Sequence, residues 1–133
     1  MRIAERDVEN YKNQKMDQNN LKARTQLFAL NIVGLVESLP KGRTPEILGR
    51  QLLRSGTSVG ANYRAACRAK SNADFISKMG TVEEEADESI YWMELLVDGK
   101  IIQADKIQNL KKEAHELLAI TVASIKTARS RKN

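Results

Sequence analysis

Four apolar stripes, each repeating at three- and four-residue spacing, dominate what this chain can fold into. The first runs from about Leu21 to Leu39 and places Leu21, Thr25, Phe28, Ile32, Leu35, Val36 and Leu39 on one side. Pro40-Lys41-Gly42 ends it. Thr44 then reads as an N-cap with Pro45 at the first helical position. The second stripe, Leu48, Leu52, Ser55, Val59, Tyr63 and Ala66, continues to about Lys70. Ser71-x-x-Asp74 reads as a capping box opening the third, which places Phe75, Met79, Val82, Ala86, Ile90, Met93 and Val97 inward. Asp98-Gly99 is expected to close that helix with a left-handed cap. The fourth runs from about Asp105 to Arg129 and buries Ile107, Leu110, Ala114, Leu118, Thr121, Val122 and Ile125. No alternating run suggests a strand. The pattern predicts helices at 21–39, 45–70, 73–98 and 105–129. Their short connections make sequential helices antiparallel neighbours, an all-α up-down-up-down four-helix bundle.

The chain has 133 residues, enough for one domain with its own core. Residues 20–129 are assigned to the bundle and 130–133 to a basic tail. Residues 1–19 carry four bases and four acids, with Ile3, Val8, Tyr11 and Met16 as scattered apolar groups. They read as a polar arm or a frayed leading helix. A single cysteine, Cys67, suits a reducing compartment. No apolar run is long enough for a membrane span, and the N-terminus lacks a signal-peptide core. A cytoplasmic protein without membrane contact is expected.

Charge is segregated along the chain. Residues 20–70 carry +7, residues 71–105 carry −7 and residues 106–133 carry +5. On the second helix Arg50, Arg54, Arg64 and Arg68 fall within an arc of roughly 80°, opposite Leu52 and Val59. On the third, Glu84 and Glu88 lie opposite Phe75 and Met93. Leu27 and Leu30 fall away from the first stripe, as Tyr91 and Leu95 do from the third, with Trp92 on its flank. Surplus apolar groups on two helices, beside complementary basic and acidic faces, point to contact between copies of the chain.

The block Leu52-Leu53-Arg54-Ser55-Gly56-Thr57-Ser58-Val59-Gly60-Ala61-Asn62-Tyr63-Arg64-Ala65-Ala66 carries a family resemblance. With Glu83-Glu84-Glu85-Ala86-Asp87-Glu88 and Tyr91-Trp92-Met93-Glu94-Leu95-Leu96, it resembles the four-helix-bundle family of proteins encoded in 23S rRNA intervening sequences, over about residues 21–128. The resemblance implies an up-down bundle assembling as a homopentameric ring. It also implies kinship with the accessory variability determinant of diversity-generating retroelements, which partners a reverse transcriptase and binds nucleic acid. The small residues of the block have their own physical reading: Ser55, Gly56, Ser58, Gly60 and Ala61 let a neighbouring helix approach closely. Asn62 reads as a structural hydrogen-bonding residue.

The chemistry of other classes is poorly supplied. A ferritin-like di-iron site needs two inward Glu-x-x-His pairs, and the one histidine, His115, follows Lys112 at that spacing. Zinc lacks its Cys and His ligands, and no strand-linked phosphate loop occurs. No metal and no cofactor is therefore expected. The acidic run Glu83, Glu84, Glu85, Asp87 and Glu88 could serve a magnesium-dependent all-α nucleotide pyrophosphohydrolase, but the fourth helix offers just Glu113 and Glu116 opposite it. The reading favoured is a non-catalytic protein that binds RNA or DNA phosphates or docks a nucleic-acid enzyme. Arg50, Arg54, Arg64, Arg68, Lys70, Arg129, Arg131 and Lys132, together with Lys126, are the candidate phosphate contacts. Leu27, Leu30, Glu84, Glu88, Tyr91, Trp92 and Leu95 are the candidate subunit contacts. The alternative is a protein-interaction scaffold whose arginines pair with Glu84 and Glu88 across subunits.

Overall fold

The computed structural model describes residues 20–131. Four helices occupy them: α1 (Leu21–Glu37), α2 (Arg43–Cys67), α3 (Asn72–Asp98) and α4 (Gln108–Ser130). A single 3-10 turn, Ala104–Lys106, precedes α4. Sequential helices pack side by side, and α1 meets α4 along a shorter stretch, which closes an antiparallel four-helix bundle. No strand occurs among the described residues.

The helix ends follow local chemistry. Asn20 caps α1, its side-chain oxygen accepting from the Ala23 N–H at 3.0 Å. Ser71 caps α3 in the same way, accepting from the Asp74 N–H at 3.0 Å. Two termini differ from expectation. The chain enters α2 through Gly42 at φ 145°, so Arg43 and Thr44 are already helical and Thr44 is not the cap. Gly42 supplies a backbone conformation closed to L side chains, and that decides the boundary. At the end of α3, Gly99 has an ordinary φ of −78° and Lys100 takes the left-handed turn at φ 60°.

Phe28, Ile32, Leu52, Val59, Met79, Val82, Met93, Leu96 and Leu117 form the fully covered centre of the core. The buried arc of α4 is turned from the expected one. Leu117 is 1% exposed and Ala128 is buried, whereas Val122, expected inside, is 45% exposed. The reason is that α4 must face both α3 and α1, which moves its covered arc toward Leu117.

A seam of glycines explains how α1 and α2 come so close. A Cβ on Gly56 would lie 2.8 Å from Ile32 Cγ1, one on Gly49 2.9 Å from Leu39 Cδ1, and one on Gly60 3.2 Å from Thr25 Oγ1. Each glycine costs about 1 kcal/mol of helix propensity, which close packing along this seam offsets. Despite Gly56 and Gly60, α2 runs unbroken from Arg43 to Cys67. On its other side α2 is registered against α3 by Ser55 and Ser89, both fully buried, whose hydroxyls share a 3.0 Å hydrogen bond. Asn62 donates to the Ser58 carbonyl at 2.8 Å, the structural role expected of it.

Candidate nucleic-acid interface

Antiparallel topology gathers the start of α1, the end of α2, the start of α3 and the end of α4 at one end of the bundle. Asn72 Nδ2 donates to the Ala128 carbonyl at 2.7 Å, joining the first turn of α3 to the last turn of α4. This end carries Lys22, Arg64, Arg68, Lys70, Lys126, Arg129 and Arg131, all exposed. Glu113 and Glu116 of α4 reach Arg24 of this end, and across the described stretches 20–26, 60–80 and 120–131 the carboxylate present is Asp74. That carboxylate is already engaged: Lys78 Nζ lies 2.6 Å from Oδ1, and the Lys70 N–H donates to Oδ2 at 3.1 Å. The Lys78 hydrogen bond, then the Lys70 one, hold its carboxyl below the usual range.

The cations at the ends of α2 and α4 also sit where the helix dipoles are negative, which favours them there without a partner carboxylate. Among the described residues, neither Arg64 nor Arg68 has an ion-pair partner within 4.0 Å. The opposite end of the bundle is balanced. There Lys41, Arg43, Lys100, Lys106, Lys111 and Lys112 are interspersed with Glu37, Glu46, Glu94, Asp98 and Asp105.

The arginine row of α2 therefore divides. Arg50 pairs with Glu46 one turn back at 3.1 Å, both strongly exposed. Arg54 reaches across to α3, where Nη1 meets Glu85 at 3.2 Å and Nη2 binds Glu88. Trp92 Nε1 also donates to Glu88 at 3.0 Å. Glu88 thus finds its arginine within one subunit, whereas the sequence pattern suggested such a pair between subunits. The facing helix supplies the counter-charge locally.

The candidate subunit contacts are spread over two faces. Tyr91 is 53% exposed and packs edge-on against half-buried Trp92, with ring centroids 5.0 Å apart. Leu30 and Leu95 are half-buried and Glu84 is exposed. Leu27 departs from the wheel-based expectation: it is 5% exposed. Helix α1 is apolar over more of its circumference than one stripe suggests. Lys132 lies outside the described residues.

Sequence reasoning missed two cations of the first turn of α1. Lys22 joins the basic end, a placement that the antiparallel order of the helices would have given. Arg24 instead ties α1 to α4, with Nε 2.7 Å from Glu113 and Nη2 2.5 Å from Glu116. The Glu113 hydrogen bond, the largest influence, raises the Arg24 pKa against the opposing effect of burial. His115 and Cys67 are both exposed, and no group of metal-ligating side chains occurs among the described residues. None of the described helices is long and apolar enough to cross a membrane.

The class defined by this architecture is the all-α four-helix bundle, here with one cationic end. The chain belongs to the family described as 23S rRNA-intervening sequence protein, whose model matches residues 17–123. It is similar to a crystal structure from Bacteroides thetaiotaomicron VPI-5482, described as a protein with unknown function from the S23 ribosomal protein family. The two share 36% identity and superpose with a TM-score of 0.74, covering 79% of this chain and 97% of that one. No curated protein matches the chain.

Proposed function

We propose that this protein is a non-catalytic nucleic-acid binder that grips RNA or DNA by its phosphates through the basic end of the bundle. The observation that carries this reading is the gathering of seven exposed cations at one end, where the carboxylates in reach are already engaged, Asp74 by Lys78 and Glu113 and Glu116 by Arg24. Phosphate contacts of this kind release condensed counterions, so binding weakens steeply with salt. The aromatics of this end, Tyr63 and Phe75, are half-buried against the core, and the expected recognition is of backbone rather than base.

A homo-oligomeric ring is part of the same proposal, supported by exposed Tyr91 beside Trp92 and by the family resemblance. Each copy would add one basic end, and several weak contacts would then act together. The test is a filter-binding salt titration of wild-type protein and of a variant with Arg64, Arg68, Arg129 and Arg131 replaced by glutamine. Steep salt dependence in the wild type and its loss in the variant, with light scattering unchanged, supports direct binding. Dissociation of an oligomer in the variant supports the scaffold reading, in which these arginines serve subunit contacts. A wild type without salt-sensitive binding to either nucleic acid overturns the proposal.

A further inference from the structure

The basic end contains a groove as well as a surface. Between α1 and α2 lies an open cleft of about 410 Å³, with Lys22 on one rim and Arg64 on the other. Ala29, Gly60 and Ala61 make up the small part of its lining, beside Thr25, Gln26 and Thr57. The volume falls within the range of roughly 300–1,000 Å³ found for small-molecule sites. Its depth is set by the seam: Gly60 lets α2 approach Thr25 so closely that a Cβ there would sit 3.2 Å from Thr25 Oγ1.

We infer that this groove seats one unpaired nucleotide, its phosphate held between Lys22 and Arg64 and its base against the small apolar residues beneath. The inference rests on the proposal that the basic end binds nucleic acid, and it names the class: single strands. Neither rim cation has an ion-pair partner among the described residues, so both are available to an anion. A base within a duplex is stacked and paired on every side and cannot enter a cleft between two packed helices. A base in a single strand can turn out of its stack at low cost.

The hydroxyls lining the groove do not read bases. Thr25 Oγ1 donates to the Lys22 carbonyl at 3.1 Å, and Thr57 Oγ1 donates to the Leu53 carbonyl at 2.7 Å. With those donors engaged by their own helices, and Gln26 of the lining partnered as well, selection falls chiefly to the two cations and to shape. The groove is accordingly tolerant of sequence and sensitive to strandedness.

The test compares a mixed-sequence single-stranded oligonucleotide with its own duplex, using the full chain at one low salt concentration. Wild-type protein is expected to bind the single strand at least tenfold more tightly. Ala61→Leu fills the groove and leaves every charge in place. It is expected to weaken single-strand binding at least fivefold with duplex affinity and salt slope unchanged. Lys22→Gln, a change at an exposed residue, is a second route that does not depend on the larger side chain being accommodated. It should weaken single-strand binding more than duplex binding. Equal wild-type affinity for the two forms, or variants that affect both forms equally, overturns the groove while leaving the basic-end proposal standing. Absence of salt-sensitive binding to either form overturns both.

Discussion

Arg50 and Arg54 in the first half of α2, and Arg64 in its last turn with Arg68 just past its end, repeat one residue type at one four-residue interval. They face different stretches of α3. Of the first pair, Arg54 lies against the acidic middle of α3, where Glu85 and Glu88 take it, and Arg50 pairs with Glu46 of its own helix. The second pair lies toward the first turns of α3, where Asp74 is held by Lys78. A charged face on one helix is therefore free or neutralised according to what the antiparallel neighbour brings level with it. The interval along the chain says nothing about which.

The largest expected effect that would break this distinction is on binding. Replacing Arg64 and Arg68 with glutamate should weaken nucleic-acid binding more than about 100-fold at low salt, since two phosphate contacts become repulsions. Arg50→Glu should change it less than about threefold. Filter binding at matched ionic strength decides this, and equal losses would erase the difference between the halves.

At the junction of the two halves stands Gly56, and the next effect is on stability. Gly56→Ala pushes a methyl group to within 2.8 Å of fully buried Ile32. Overpacking of that kind costs about 1–3 kcal/mol, less the fraction returned by helix propensity. Gly80→Ala is the contrast, because nothing lies within 4 Å of its Cβ position. It should stabilise the helix by about 0.5–1 kcal/mol. Urea denaturation of both variants measures the pair of opposite signs.

Arg54→Gln should cost less, about 0.5–1 kcal/mol in low salt, because its ion pairs are half-exposed. Its nucleic-acid salt slope should match the wild type. A flattened slope would mean that Arg54 leaves Glu85 and Glu88 to reach phosphate.

The smallest effect appears only at alkaline pH. Burial first, and then a hydrogen bond with the Cys67 side chain, push the Tyr63 phenol from 10.0 up to about 12. The folded protein keeps this phenol neutral where the unfolded chain ionises it. Its contribution is therefore complete below pH 10 and disappears as the pH rises toward about 12. Tyr63→Phe should remove that part of the decline, read as a smaller fall in Tm across this interval. Identical pH profiles for the two proteins would contradict it.

Much of the fold was legible because helix periodicity and end signals are local. The stripe through Phe28, Ile32 and Leu35, the one through Met79, Val82 and Ala86, and the Ser71–Asp74 cap all lie within a few residues of their partners. The errors came where a second neighbour decides. Val122 and Leu117 lie on opposite flanks of one stripe, and the position of α1 relative to α4 determines which is covered. Leu27 fails for a related reason, since α1 is covered over more than one stripe. The site was half legible: the arginine row was visible, but its division required Glu85 and Glu88, more than thirty residues away. Lys22 belongs to the basic end through topology alone.

The hydrogen bond from Asn72 to the Ala128 carbonyl has a consequence for how the end of α4 meets a ligand. Last-turn carbonyls usually lack intrahelical partners, and helix ends fray for that reason. Here one of them is tied to the first turn of another helix, immediately before Arg129 and Arg131. Ordering a residue's backbone costs roughly 1–2 kcal/mol, and a frayed terminus would pay it at the moment of encounter. The tie places that ordering in the folding reaction, so the backbone that carries these two cations would need no further ordering if the proposed polyanion binds there.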